Sequence, residues 1–90
     1  MGKVIVTAQI MPSSPETNME KLNEEVKKII NTNRGEYVKA EIRPIAFGLK
    51  ALIVYFLVED TGGIMGNIEK KIYSIDNIQG YEVSNVQRAL

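Results

Sequence analysis

Residues Val4 to Met11 are rich in β-branched and apolar side chains, which predicts a first β-strand over residues 4–11. One face of that strand would carry Val4, Val6, Ala8 and Ile10. The sequence Pro12-Ser13-Ser14-Pro15 follows directly, and its two prolines predict the end of the strand.

The pattern next changes to a helical spacing. Thr17 and Glu20 match a capping box, in which each side chain satisfies a free backbone donor at the start of a helix. Gly35 is a fitting residue for the helix end. These signals predict a helix over residues 18–33. Its apolar stripe would consist of Met19, Leu22, Val26, Ile29 and Ile30.

Two neighbouring strands are predicted in the middle of the chain. Val38, Ala40 and Ile42 alternate with charged residues, which predicts a half-exposed strand over 36–43 with these three residues on one face. The mostly apolar stretch 49–59 predicts a central strand. Pro44 to Gly48 separates the two strands.

The last third of the chain predicts a second helix over 64–73 and a strand over 81–86, with Gln79-Gly80 as a turn between them. The order βαββαβ, with one apolar stripe on each helix, predicts an α+β fold of the ferredoxin-like split βαβ type. It would have a four-stranded antiparallel sheet with two helices on one face. We expect residues 1–90 to form a single domain.

Composition limits the chemistry of this domain. The chain contains no histidine and no cysteine, which are the commonest general base, the most reactive nucleophile and two common metal ligands. We therefore expect a protein that acts by binding, with no catalytic residue, cofactor or metal. Its 11 basic and 11 acidic residues balance, whereas a general nucleic-acid binder has a basic excess, so no direct nucleic-acid contact is expected.

No segment indicates a membrane protein. The longest apolar run, Ala51 to Val58, is far shorter than the ~20 residues of a membrane helix. Lys3 is followed at once by strand-like sequence, which is not typical of a signal peptide. We expect a cytoplasmic protein with no membrane partner.

Two motifs resemble functional sites but favour structural roles. Gly62-Gly63-Ile64-Met65-Gly66 lies where a phosphate loop could sit, but lacks the Lys-Ser/Thr of a P-loop and the spacing of a dinucleotide fingerprint. A glycine turn is the simpler interpretation. The carboxylate pairs Glu24-Glu25 and Glu59-Asp60 have no nearby histidine, and are interpreted as solvated charge and a strand-end cap.

Other functions of the same fold remain open at this stage. RNA-binding members stack bases on sheet aromatics, but Tyr55 and Phe56 are adjacent and must point to opposite faces of their strand. A small-molecule regulatory domain of the ACT type is the stronger alternative. Such domains bind ligands at strand–helix loops, often between paired subunits.

Two local sequences are unusual. Phe47 lies between a proline and a glycine at the tip of the two middle strands, where a large aromatic would ordinarily cap the core beneath a hairpin. Arg88 lies near the C-terminus, where a cation is usually frayed.

The sequence resembles the exchange domain of translation elongation factor 1-beta, most closely its short archaeal form, over residues 3–90. Three stretches carry the resemblance: Pro44-Ile45-Ala46-Phe47-Gly48-Leu49-Lys50, Val58-Glu59-Asp60 and Val86-Gln87-Arg88.

This resemblance implies a ferredoxin-like fold and guanine-nucleotide exchange on the GTPase elongation factor 1-alpha in its GDP-bound or nucleotide-free state. It also implies a protein-binding site that includes Phe47, Gly48, Gln87 and Arg88. The tip aromatic of the family contacts the GTPase, and a basic residue near the C-terminus enters the site that holds Mg²⁺ beside the nucleotide phosphates. Eukaryotic relatives have lysine where this chain has Arg88, and a guanidinium is broader and more planar than an ammonium.

Overall fold

A computed structural model of the chain describes residues 2–59 and 62–88. Its strands are β1 (Lys3–Pro12), β2 (Gly35–Pro44), β3 (Lys50–Glu59) and β4 (Ile78–Arg88), and its helices are α1 (Met19–Thr32) and α2 (Ile64–Tyr73). The predicted order βαββαβ is confirmed. The strand β4 is longer than predicted at both ends. Ile78 and Gly80 pair with the end of β1 and do not form a separate turn, and residues 87–88 pair with its start.

The four strands form one antiparallel sheet in the order β2-β3-β1-β4. Both helices pack on one face of this sheet, and their buried residues join those of β1 and β3 in a single apolar core. The predicted faces of β1 and α1 are confirmed, and α2 likewise buries a single stripe of Ile64, Ile68 and Ile72. This architecture is the ferredoxin-like fold that the pattern predicted.

The helix α1 begins at a different capping residue from the one predicted. Its N-cap is Asn18, whose Oδ1 accepts a hydrogen bond from the backbone N–H of Lys21 at 3.1 Å. The capping box of Thr17 and Glu20 was therefore wrong by one residue. Asn and Thr are both favourable N-cap residues, so a sequence that contains both in succession does not decide between them.

The predicted inner face of β2 was also wrong in part. The pairing of β2 with β3 shifts between Tyr37 and Lys39, so that Val38 is an extra residue in a β-bulge and is 51% exposed. Tyr37 packs against the core at that level. Ile42 shares the face of Ala40 but is 48% exposed on this edge strand, whereas Ala40 is partly buried. Edge strands often carry such bulges, which hinder pairing with another chain.

The connection between α1 and β2 depends on a glycine for a reason other than a positive φ angle. Arg34 adopts the left-handed conformation, with φ of 69°, and Gly35 is the first residue of β2. A Cβ atom at Gly35 would lie 2.7 Å from Cγ2 of Ile30. The predicted helix stop at Gly35 thus serves the close approach of β2 to α1.

The molecule is elongated, with principal dimensions of 41, 21 and 17 Å. Antiparallel pairing places the β2–β3 connection at the end of the sheet where β1 stops, and the last residues of β4 at the end where β1 starts. Among residues 2–59 and 62–88, neither helix is long and apolar enough to span a membrane.

Candidate protein-binding site

The connection between β2 and β3 forms an uncharged projection, the apolar tip, which we define as residues 44–49. Phe47 is 94% exposed there. The interpretation of Phe47 as a cap on the core is therefore wrong, because a ring that caps a core loses most of its contact with water. A large exposed aromatic side chain on an uncharged segment has the chemistry of a protein contact.

The backbone of the apolar tip makes a tight turn. Phe47 has φ of 62° and ψ of 31°, and Gly48 has φ of 77°. The N–H of Leu49 donates to the carbonyl of Ala46 at 3.2 Å, and the N–H of Ile45 donates to the carbonyl of Leu49 at 2.8 Å. These angles and the first hydrogen bond are those of a type I′ turn with Phe47 and Gly48 at its two central positions. The direction of the Phe47 side chain is thus set by hydrogen-bonded backbone.

At the opposite end of the sheet, the C-terminal part of the chain is held in the ladder. Arg88 is the last residue of β4 and pairs with Val4, while Gln87 pairs with Ile5. Both side chains are exposed, and they lie on opposite faces of the strand because neighbours in a strand alternate. The expectation of a frayed arginine is wrong for Arg88, although residues 89 and 90 lie outside the described part of the chain.

Several charged residues lie at the same end of the sheet as Arg88, and we call this region the charged end. It comprises the exposed residues Lys3, Arg34, Glu36, Glu59 and Arg88. Lys3 pairs with Glu59 across the β1–β3 ladder, and its Nζ lies 3.9 Å from Oε1 of Glu36. Within residues 2–59 and 62–88, neither Arg34 nor Arg88 is within ion-pair distance of a carboxylate.

Arg34 is a residue of this region that the sequence did not single out. Gly35, Val58, Val4 and Arg88 form one row across the four strands, so the register brings the α1–β2 connection to the same end as Arg88. The sequence alone did not indicate that Arg34 lies at this end, because that placement follows only from the strand pairing.

The structure does not bring the four predicted site residues together. Phe47 and Gly48 lie at one end of the sheet, and Gln87 and Arg88 lie at the other. Six residue steps along β1 lead from Val4, the partner of Arg88, to Ile10, the partner of Leu52, and at about 3.4 Å per residue they span roughly 20 Å. The apolar tip lies beyond this distance.

In the described part of the chain, the motifs interpreted as structural consist of a glycine turn and of carboxylates at the surface. Gly63 has φ of 93° and is the N-cap of α2, which confirms a glycine turn. Glu24 and Glu59 are exposed, and Asp60 lies outside the described residues. In the part of the chain that the structure describes, no group of three or more acidic residues could hold a metal ion.

One tyrosine has a perturbed ionisation. Burial raises the pKa of Tyr81 to about 12, and the nearby Glu69 carboxylate and Tyr73 add to the shift. Its hydroxyl is buried and has no hydrogen-bond partner among the described residues, and its ring contacts Tyr73 edge to face, with centroids 6.4 Å apart. Tyr81 pairs with Ile10, beneath α2, and so belongs to the scaffold.

Sequence comparison places the chain among exchange domains. The profile of the EF-1 guanine nucleotide exchange domain matches residues 5–89. The elongation factor 1-beta of Nanoarchaeum equitans is 43% identical over 90% of this chain and 99% of its own length. That of Methanosphaera stadtmanae is 37% identical over both full lengths, and that of Sulfolobus acidocaldarius is 40% identical over 94% of each.

Solved structures support the fold independently of sequence. Ribosomal protein S6 from Thermotoga maritima superimposes with a TM-score of 0.68 at 21% identity, and covers 96% of this chain and 87% of its own. The C-terminal domain of the MgtC protein from Mycobacterium tuberculosis has a TM-score of 0.67 at 8% identity, over 98% and 88%. At these identities the likeness concerns the fold alone.

Proposed function

The chain belongs to the family of EF-1 guanine nucleotide exchange domains, and we propose that it promotes GDP release and GTP loading on the GTPase elongation factor 1-alpha. Membership of this family gives a nucleotide-exchange role in translation elongation. We expect this role to be performed by binding a GTPase, without covalent catalysis. The observation that carries the finer proposal is Phe47, which is 94% exposed and fixed in a turn at the end of an uncharged segment.

Exchange requires only a difference in affinity. A GTPase holds GDP through backbone and side-chain contacts to the phosphates and through a bridging Mg²⁺. A protein that binds the nucleotide-free or Mg²⁺-free state more tightly than the loaded state weakens nucleotide binding by the same factor, because the two affinities are thermodynamically linked. No general base or nucleophile is needed, which agrees with a chain that lacks histidine and cysteine.

The apolar tip would supply the anchoring contact. Residues 44–49 contain no charge, so their burial against a partner has no ionic desolvation cost, and Phe47 offers a large apolar surface. A partner with an apolar pocket would gain this contact without rearrangement of the tip, since hydrogen bonds of Ile45 and Leu49 already hold its shape.

Arg88 would act on the Mg²⁺ site of the GTPase, and Gln87 would contact the protein beside it. The guanidinium is exposed at the end of a paired strand, so its attachment point is fixed. A cation placed near the phosphates competes with Mg²⁺ for the same negative charge and so favours loss of the metal bridge.

The separation of the two ends implies two contact regions on the partner. The apolar tip and Arg88 are more than roughly 20 Å apart along the strands. A single side-chain pocket on the partner could therefore not bind both. We therefore expect the GTPase to lie along the domain and to engage both ends, so that the tip contributes affinity and Arg88 contributes exchange.

The alternative of an ACT-type small-molecule sensor would need a ligand pocket at a strand–helix loop, and such pockets are mostly apolar. A cleft of about 420 Å³ lies between the start of α1 and residues 75–77, at a strand–helix loop. Its lining is mainly polar and charged, with Glu16, Lys21, Glu25 and Asp76 among the lining residues.

The proposal is tested by release of fluorescent GDP from elongation factor 1-alpha into excess GTP. We expect the release rate to rise with the concentration of this protein and to saturate. Mg²⁺ chelation provides a positive control, since it shows the fastest release that loss of the metal allows. An unchanged release rate at saturating protein, while chelation still accelerates release, would contradict the proposal.

A further inference from the structure

Phe47 occupies a backbone conformation that aromatic residues rarely adopt. Its φ of 62° and ψ of 31° lie in the left-handed region, where the Cβ of an L-residue crowds the following carbonyl. The first central position of a type I′ turn is normally Asn, Asp or Gly. Because the side chain is 94% exposed, packing against the domain does not compensate for this unfavourable conformation.

Gly48 makes the second half of the turn possible. Its φ of 77° is readily accessible to glycine, whereas other residues are strained there. A Cβ at this position would lie 3.9 Å from Cβ of Pro15, which is an ordinary contact distance. A methyl group therefore fits in space at position 48, and the penalty of an alanine would come from the backbone conformation.

The strands on either side hold the turn closed. Pro44 pairs with Lys50, and the bond from the N–H of Ile45 to the carbonyl of Leu49 lies directly inside that pair. Tertiary pairing thus maintains a conformation that the local sequence disfavours, a combination that is concentrated at binding and switch sites.

We propose that the apolar tip trades folding stability for a fixed projection of the Phe47 ring, with Gly48 as the positioning residue. This inference rests on the proposed function and names the acceptor as a preformed apolar pocket of the GTPase. A ring already held in its bound direction loses little freedom on binding. If the turn relaxes, only the fraction of molecules with the correct projection binds well, and the apparent affinity falls by that fraction.

The stability half of the inference is tested on the isolated protein with Phe47→Asn and Phe47→Ala. Both variants lose the exposed ring, but Asn tolerates the left-handed region better than Ala does. We expect Phe47→Asn to melt a few degrees above both the wild type and Phe47→Ala. A melting temperature of Phe47→Asn at or below that of Phe47→Ala would overturn the inference.

The positioning half is tested by binding to elongation factor 1-alpha at a temperature where every variant is fully folded. Gly48→Ala keeps Phe47 but disfavours the turn, and we expect association about fivefold weaker. Gly48→Asn retains tolerance of a positive φ and should recover most of the affinity. Gly66→Ala, at an open position within α2, is the matched control and should bind as the wild type does.

The outcomes separate this inference from the proposed function. Wild-type affinity in Gly48→Ala would contradict a positioning role even where exchange itself is confirmed. Equal losses in Gly48→Ala and Gly48→Asn would also contradict it, since loss would then follow from any side chain at position 48. If this protein does not accelerate GDP release, the melting temperatures of Phe47→Asn and Phe47→Ala still test whether the conformation of Phe47 lowers the stability of the fold.

Discussion

The two ends of the sheet offer different kinds of contact. The apolar tip carries no charge over residues 44–49 and presents Phe47 on a hydrogen-bonded turn. The charged end carries three cations and two carboxylates, among them Lys3 and Glu36 with 3.9 Å between Nζ and Oε1. Apolar burial depends little on salt, whereas an exposed charge is screened at physiological ionic strength.

This difference indicates that the two ends of the domain have separate roles in binding and in exchange. A chain with no net formal charge has no long-range attraction to its partner from net charge, so a local anchor at one end would have to supply affinity. The placed cation at the other end would then act on the nucleotide site. If the ends contribute separately, variants at the apolar tip should mainly change affinity and variants of Arg88 should mainly change exchange.

The largest expected effect is on association in Phe47→Ala. Loss of an anchoring aromatic typically costs about 2 kcal/mol of binding, or roughly thirtyfold in Kd. The melting temperature should change little, because the ring is 94% exposed. Val38→Ala is the matched control, since Val38 is a half-exposed apolar residue away from the tip. Unfolding of Phe47→Ala, or equal losses of affinity in the two variants, would break the comparison.

The next effect concerns exchange in Arg88→Ala. We expect the maximal rate of GDP release to fall about tenfold, as for loss of a charge-assisted contact, with a smaller change in Kd. Arg88→Lys should retain much of the rate, and added Mg²⁺ should inhibit Arg88→Ala more steeply than the wild type. Stopped-flow release of labelled GDP measures all three quantities.

Arg34→Ala is the control for that experiment, because Arg34 is a second exposed cation at the same end. If both arginine variants slow exchange equally, general electrostatic attraction explains the result. The specific role of Arg88 would then be rejected.

A smaller effect is expected in the salt dependence of binding. Between about 0.05 and 0.5 M NaCl the Debye length falls severalfold, so the Kd of the wild type should rise modestly. Phe47→Ala should keep that slope, whereas Arg88→Ala should have a shallower one. Titration of both variants across this range checks the assignment, and a loss of slope in Phe47→Ala would reverse it.

The fold was predictable because its elements are locally consistent. The apolar stripe of α2 predicted its bounds as found, at residues 64–73, and the long apolar stretch gave β3 its central place. The bulge at Val38 was not predictable from the sequence. The alternation of Val38, Ala40 and Ile42 with charged residues is that of a regular strand and gives no sign of an extra residue. The start of β4 was also not predictable, because glycine is uncommon in strands and Gly80 was interpreted as part of a turn. Its pairing with Met11 of β1 places it in the strand.

The residues of the candidate site are a proposal that rests on the resemblance, and their geometry was not predictable from the sequence. The residues Phe47 and Arg88 came from a resemblance, and their exposure and separation came from strand register. The left-handed conformation of Phe47 had no local signal, because aromatic residues rarely adopt it. Tertiary closure of the hairpin overrides that preference.

The smallest effect should leave both ends unchanged and alter only the scaffold between them. Tyr81 lies under α2 with a buried hydroxyl that has no hydrogen-bond partner in the described part of the chain. Burial raises its pKa from 10.0 to about 12. Because the folded pKa is higher than the unfolded one, the stabilisation is complete below pH 10 and is lost as the pH rises toward 12.

Tyr81→Phe removes this ionisation, so its stability should fall less between these pH values than that of the wild type. At neutral pH the variant should gain up to about 1 kcal/mol, since it no longer buries an unpaired hydroxyl. Urea unfolding across pH 8–12 measures both effects, while Kd and exchange rate at neutral pH should match the wild type. A change in the exchange rate of Tyr81→Phe without a change in its stability would show that the interior couples the two ends. The apolar tip and the charged end would then not contribute separately.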